Sequence, residues 1–512
     1  MLKWGAMASG PARQSSLFTN TAAQSARLVT GYAISFALAP FMLARLGLDA
    51  FGLWAVTGAL ATYAGLADFG VTRALIRFVA LWDARDEPER IREGFALGLL
   101  VVTGLGVLST GLALALAPVA ADALGVQRAG EMRTLLLASA LILTAQGYAQ
   151  VLEAIPQGLR RMIAPNVAAV VGNVLNGGFS AGALVLSGDL EVYAWANAIA
   201  AGLALLPALV ALVRVWGAPR PLRPSRVVVR EVAGYGLKNQ VLWIATLVNF
   251  QTDKVVIGAL VGLRAAGAYE IASRVVGALR GVAVLTLSAM IPTFTAALAR
   301  TGRSAVAAHY SLYTRRSVSL AFPVFLLGCV SAPFLLPAWL GEVPARAEAI
   351  LIAASLANLV DLTTGTASSL ALAEGRATLV AGNAVFGAVA NIALTVALAP
   401  IFGLWGVLAG TLVALTGATL VFFVRFHRAY RIPSAVLSRA VLPPLALATA
   451  LALPFALVAI VAGAADGRGA AAGALVAVTL LYGLGYWAAA SRAGFLPERL
   501  TLRRPRRAQP AR

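Results

Sequence analysis

Residues 46–54 read Leu-Gly-Leu-Asp-Ala-Phe-Gly-Leu-Trp, and residues 261–269 read Val-Gly-Leu-Arg-Ala-Ala-Gly-Ala-Tyr; the two align without a gap at an offset of 215. Gly47 matches Gly262, Ala50 matches Ala265, Gly52 matches Gly267 and Trp54 matches Tyr269. Each stretch lies at the turn that opens the second apolar segment of a six-segment half, so the chain reads as a duplication. Six crossings return a chain to its starting side, which makes the halves alike in orientation. Parallel repeats of this kind are typical of transporters, whose substrate site lies where the halves meet.

The segments around these turns are membrane-like. Sixty per cent of the 512 residues are hydrophobic and 12% are charged, where a globular domain carries roughly half apolar and a quarter charged residues. Apolar runs of about 20 residues, enough to cross ~30 Å of hydrocarbon, recur fourteen times between residues 19 and 490. The reading is an all-α membrane protein of about 14 transmembrane helices: two six-helix lobes in a parallel pseudo-twofold repeat around a central cavity, plus two extra C-terminal helices. Residues 1–18 form a cytoplasmic amino terminus, 19–214 the N-lobe, 215–231 a cytoplasmic linker, 232–430 the C-lobe, 431–490 helices thirteen and fourteen, and 491–512 a basic cytoplasmic tail. The polar interruptions, Leu81 to Arg92 the first of them, are too short for a core of their own. Met1 to Phe18 lack the pattern of a cleaved signal peptide, so the first run is expected to be retained. The single cysteine, Cys329, excludes an internal disulfide.

Location decides what the net charge of +20 means. With the amino terminus inside, the inner segments hold 31 basic residues and the outer ones six, so the positive-inside rule puts both termini in the cytoplasm of a bacterial inner membrane. That distribution points to anionic lipids at the inner face, not to nucleic acid. Four cations remain for the membrane interior: Arg27, Lys254, Arg274 and Arg280.

Pro40 to Ala80, with Arg-Leu-Gly-Leu-Asp-Ala-Phe-Gly-Leu-Trp and then Leu-Ala-Asp-Phe-Gly-Val-Thr-Arg-Ala-Leu-Ile-Arg-Phe, resembles the opening of the polysaccharide-transporter family, the O-antigen and exopolysaccharide flippases. Thr252-Asp253-Lys254 with Val255-Val256-Ile257-Gly258, Ala266-Gly267-Ala268-Tyr269 and Ile291-Pro292-Thr293-Phe294 are similar to its seventh and eighth helices. Glu374-Gly375-Arg376 and Ala399 to Gly406 resemble its eleventh and twelfth. The likeness covers about residues 19–430. It implies a two-lobed bundle working by alternating access, in the superfamily of multidrug exporters and the peptidoglycan-precursor flippase, and it leaves the sugar open.

The expected activity is therefore translocation of an isoprenoid-pyrophosphate-linked oligosaccharide for cell-surface polysaccharide, with a polymerase and glycosyltransferases as partners. Lipid II flipping and multidrug export are the alternatives. A membrane polymerase or ligase is remote: no paired carboxylates lie in a loop, and there is neither a metal cluster nor a phosphate-cradling glycine motif, so no cofactor is expected.

A charge at membrane depth costs roughly 2.5 to 3.5 kcal/mol and so faces a cavity or a partner. Arg27 lies ~12 Å into the first helix and Arg280 ~18 Å into the eighth. Arg27, Arg274 and Arg280 are the candidate substrate cations, because guanidinium forks match phosphate oxygens. Glu270 stands four residues before Arg274 and offers it a partner on the same face. Asp361, among Thr363, Thr364 and Thr366, reads as an unpaired carboxylate and as the candidate for proton or Na+ coupling. Asp68, Asp253, Lys254 and Glu270 are assigned structural or coupling roles. His309 and His427 read as solvated or lipid-facing.

Overall fold

The computed structural model describes residues 11–64, 70–126, 129–288, 294, 306–462 and 467–496. Within them the chain is helical: α1 Pro11–Ala64, α2 Val71–Ala84, α3 Pro88–Ala123, α4 Ala129–Gly158, α5 Ile163–Leu186, α6 Leu190–Leu203, α7 Leu205–Trp216, α8 Arg226–Leu260, α9 Leu263–Ser288, α10 Val306–Leu340, α11 Ala347–Leu362, α12 Gly365–Ala373, α13 Ala377–Phe402, α14 Leu404–Tyr430, α15 Ala435–Ala462 and α16 Arg468–Ala493. Eleven helices among the described residues are long and apolar enough to cross a membrane. The first of these, Ala22–Tyr63, is 42 residues long, ~63 Å at 1.5 Å per residue, and holds two crossings. With α8 and α9, which are long enough but carry the interior charges, the crossings number the fourteen read from the sequence.

Gly47 turns one long helix into two crossings. Its φ of 81° and ψ of 171° belong to backbone space that is essentially glycine's alone. Gly262, its repeat partner, has φ 123° and separates α8 from α9. Other left-handed helix breaks recur at the same spacing, Arg160 with Gly375 and Gly188 with Gly403, and Gly125 with Gly341 within one residue of it. The duplication is thus written in the backbone as well as in the residues.

The chain packs as two compact units, Met1–Trp243 and Ile244–Arg512. In the first, α4 packs against α1, α2, α3, α6 and α7. Helix α2 runs on to Ala84, into the stretch read as a polar interruption, because Val71, Ala74, Leu75, Phe78, Val79 and Trp82 make one buried stripe at the helical period. Trp82 lies so close to α3 that a Cβ on Gly94 would be 2.6 Å from its ring. The segment leading into α8 is pinned to α3 by Glu93, whose Oε2 accepts from Ser225 N at 2.9 Å and Ser225 Oγ at 2.5 Å.

In the second unit α10 packs against α9, α11, α15 and α16. Tyr486 Oη donates to the Ser319 carbonyl at 2.9 Å and Tyr482 Oη to the Ala448 carbonyl at 3.3 Å, while Arg468 donates to the Leu340 carbonyl. Large apolar side chains such as Leu186, Leu420, Ile460 and Leu481 point outward, and alanines such as Ala440, Ala448, Ala471 and Ala490 are buried. Lipid removes the hydrophobic drive between helices, and small residues let backbones approach closely.

Candidate functional site

Each unit holds an arginine–carboxylate pair inside its helices. In the first, Arg27 on α1 places Nη1 2.6 Å from Glu153 Oε2 on α4. The arginine side chain is 36% exposed and the glutamate 6%. Gln157, one turn beyond Glu153, donates to the same oxygen at 3.3 Å. Asn173 on α5 donates to the Arg27 carbonyl at 3.2 Å, which ties α5 to the turn of α1 that carries the arginine.

In the second unit Arg280 on α9 places Nη1 2.8 Å from Asp361 Oδ2 and 2.9 Å from Asn358 Oδ1, both on α11. Its guanidinium lies 4.5 Å from the centre of the Phe250 ring, within cation–π range. Asp361 is therefore not the unpaired carboxylate the sequence suggested; a partner 81 residues away in the chain holds it. Arg274, two turns from Arg280 on the same helix, goes elsewhere: its Nε meets Glu270 Oε1 at 3.0 Å, and Lys254 Nζ meets Glu270 Oε2 at 2.7 Å. One carboxylate thus bridges two cations. Lys254 pairs with Glu270 and leaves its chain neighbour Asp253 to other partners.

Asp253 is 1% exposed and is met by neutral donors. Tyr269 Oη and Thr411 Oγ1 donate to Oδ2 at 2.8 and 2.9 Å, and Asn391 Nδ2 approaches Oδ1 at 3.4 Å. Thr411 Oγ1 also lies 3.2 Å from Asn391 Oδ1. A cavity of about 30 Å³, lined in part by Asn249, Asp253, Asn358 and Thr411, adjoins the cluster; it has room for a water-sized guest. Carboxylate and carbonyl oxygens of this kind are hard ligands.

The sequence reading passed over Glu153 and Thr411, and took Asn391 only as one of several asparagines within spans. Glu153 had a signal, since a carboxylate in an apolar span demands a partner. Asn391 had another: at the offset of 215 it matches Asn176, as Thr395 matches Ser180. In the first unit Asn176 and Ser180 both donate to Asn197 Oδ1, at 3.0 and 3.1 Å, so each unit uses this asparagine position in a polar cluster, and in the second unit Asp253 joins it. Asp68 lies outside the described residues. His427 is buried, not solvated: its Nδ1 lies 2.9 Å from the Ile432 carbonyl, and Tyr310, Phe423 and Phe426 crowd its ring. Among the described residues no group of His, Cys, Asp and Glu could hold a metal ion.

Against known proteins, the family described as Polysaccharide biosynthesis protein matches residues 17–298, more than half of the chain. The chain belongs to this family. Among curated proteins none matches. Of solved structures, the lipid II flippase MurJ in an inward closed conformation aligns over 93% of this chain and 99% of its own at TM-score 0.67 and 13% identity. An inward-facing multidrug resistance MATE family transporter of the MOP superfamily aligns over 81% and 95% at 0.57 and 19%, and the MATE transporter ClbM in complex with Rb+ over 83% and 94% at 0.50 and 15%. These identities establish a shared fold. A polysaccharide biosynthesis family chain with this fold is a multi-pass membrane protein that shares the architecture of these transporters.

Proposed function

We propose that this chain flips an isoprenoid-diphosphate-linked oligosaccharide across the bacterial inner membrane, with both termini in the cytoplasm, and that the product feeds cell-surface polysaccharide such as O-antigen or exopolysaccharide. The observation that carries this is the placement of Arg27 and Arg280, partly exposed guanidinium groups within membrane helices, in a chain of the polysaccharide biosynthesis family. A guanidinium stays charged in an apolar setting and matches phosphate oxygens two at a time. The family description favours a polysaccharide precursor over lipid II. The partly exposed guanidinium groups of Arg27 and Arg280 favour an anionic substrate over cationic drugs.

Coupling to a proton or Na+ belongs to this proposal. Asp253 is better suited than Asp361, because its partners are neutral and oxygen-rich whereas Asp361 already answers Arg280. Glycosyltransferases would supply the substrate and a polymerase would consume it. In cells lacking the native gene, wild-type protein restores surface polysaccharide, whereas Arg27→Ala with Arg280→Ala leaves isoprenoid-linked saccharide accumulating at matched protein abundance. Full restoration by that double variant would overturn the proposal.

A further inference from the structure

An anionic headgroup that reaches Arg27 or Arg280 meets a cation that already holds a carboxylate. The two arrangements share a plan. Both carboxylates come from the fourth crossing of their half, Glu153 from α4 and Asp361 from α11. Each has a carboxamide one turn away on its own helix: Gln157 donates to Glu153, and Asn358 accepts from Arg280. In each pair the hydrogen bonds between described residues engage Nη1. A guanidinium has five N–H groups in a fixed fork, so the N–H groups that no described residue engages can meet a second anion.

We propose that Glu153 and Asp361 are resident counter-ions that compete with the substrate for the two arginines, an inference that rests on the flippase reading above. In the empty carrier each carboxylate holds its arginine in place and lowers the cost of a charge at membrane depth. On loading, diphosphate oxygens, which carry more charge than one carboxylate, take over the guanidinium. On the far side the carboxylate retakes its arginine and speeds release. The neighbouring amide can hydrogen-bond its carboxylate or arginine in either state, which keeps the side chains placed during exchange. Glu153 and Asp361 are in this sense positioning residues: they set how tightly a diphosphate is held and how readily it leaves.

The test measures binding of farnesyl diphosphate to purified full-length protein in nanodiscs, with farnesol as the uncharged control, and transbilayer movement of a fluorescent prenyl diphosphate. Glu153→Gln and Asp361→Asn keep the side-chain shape and remove the competing charge. Each is expected to tighten diphosphate binding about tenfold, the loss of one charge-assisted contact from the unloaded state, to slow transbilayer movement about as much, and to leave farnesol unaffected. A purely structural pair would lower yield and melting temperature with no gain in affinity. If Glu153→Gln does not accumulate, Asp361→Asn decides. Unchanged or weakened diphosphate binding in both variants, with Arg27→Ala losing binding, overturns the counter-ion inference and leaves the flippase reading standing. Failure of wild-type protein to bind farnesyl diphosphate at all brings down the flippase reading instead.

Discussion

Glu270 answers two cations with one side chain, 2.7 Å from Lys254 and 3.0 Å from Arg274, so its neutralisation takes a shared counter-charge from both. Removing one partner of a buried pair costs about 3 kcal/mol or more. Glu270→Gln is therefore expected to lower the melting temperature and detergent-extracted yield sharply, while Glu270→Asp loses less. Asp253 behaves differently because its donors are neutral. Asp253→Asn fits the same space and is expected to fold, yet to flip substrate without dependence on a proton or Na+ gradient. Transport by Asp253→Asn that kept its full ion dependence would exclude this residue as the coupling group. Which cations would lie at depth was legible in the sequence: Arg27, Lys254, Arg274 and Arg280 all lie in helices. Their partners were legible only where the helix itself supplied them, as with Glu270 four residues before Arg274. Arg27 and Glu153 lie 126 residues apart, and only tertiary packing joins them.

At the scale of the helical element, glycine is what made the repeat readable. Gly47 and Gly262 adopt positive φ, and a Cβ at either would meet nothing within 4 Å, so substitution there tests backbone strain without a clash. Gly47→Val or Gly262→Val is expected to cost ~1–3 kcal/mol each, read as a lowered melting temperature. An unchanged melting temperature in both would show that these turns do not need glycine. Hydropathy alone misplaced the start of the connection after the second crossing, because α2 is amphipathic: Arg77 is exposed and lies over the Tyr235 ring at 4.2 Å while every third or fourth residue is buried. The buried stripe was present in the sequence but shorter than a membrane span. Helices α8 and α9 show the converse, since their charges lower hydropathy where the candidate site requires them.

For the whole molecule, length and apolar periodicity were enough to count fourteen crossings, because the bilayer imposes one length on every segment. Chemistry is less legible, since it depends on which of several interior charges each helix face delivers to its neighbours. Under the proposed function the chain moves a diphosphate-linked lipid through its interior arginines. The direct measurement is translocation of a fluorescent prenyl-diphosphate-linked saccharide in sealed proteoliposomes, followed by quenching of the outer leaflet. Wild-type protein is predicted to make nearly all of the lipid accessible, and the Arg27→Ala, Arg280→Ala double variant to slow this at least tenfold. Equal rates for the two proteins, or no translocation by wild-type protein, would contradict the account.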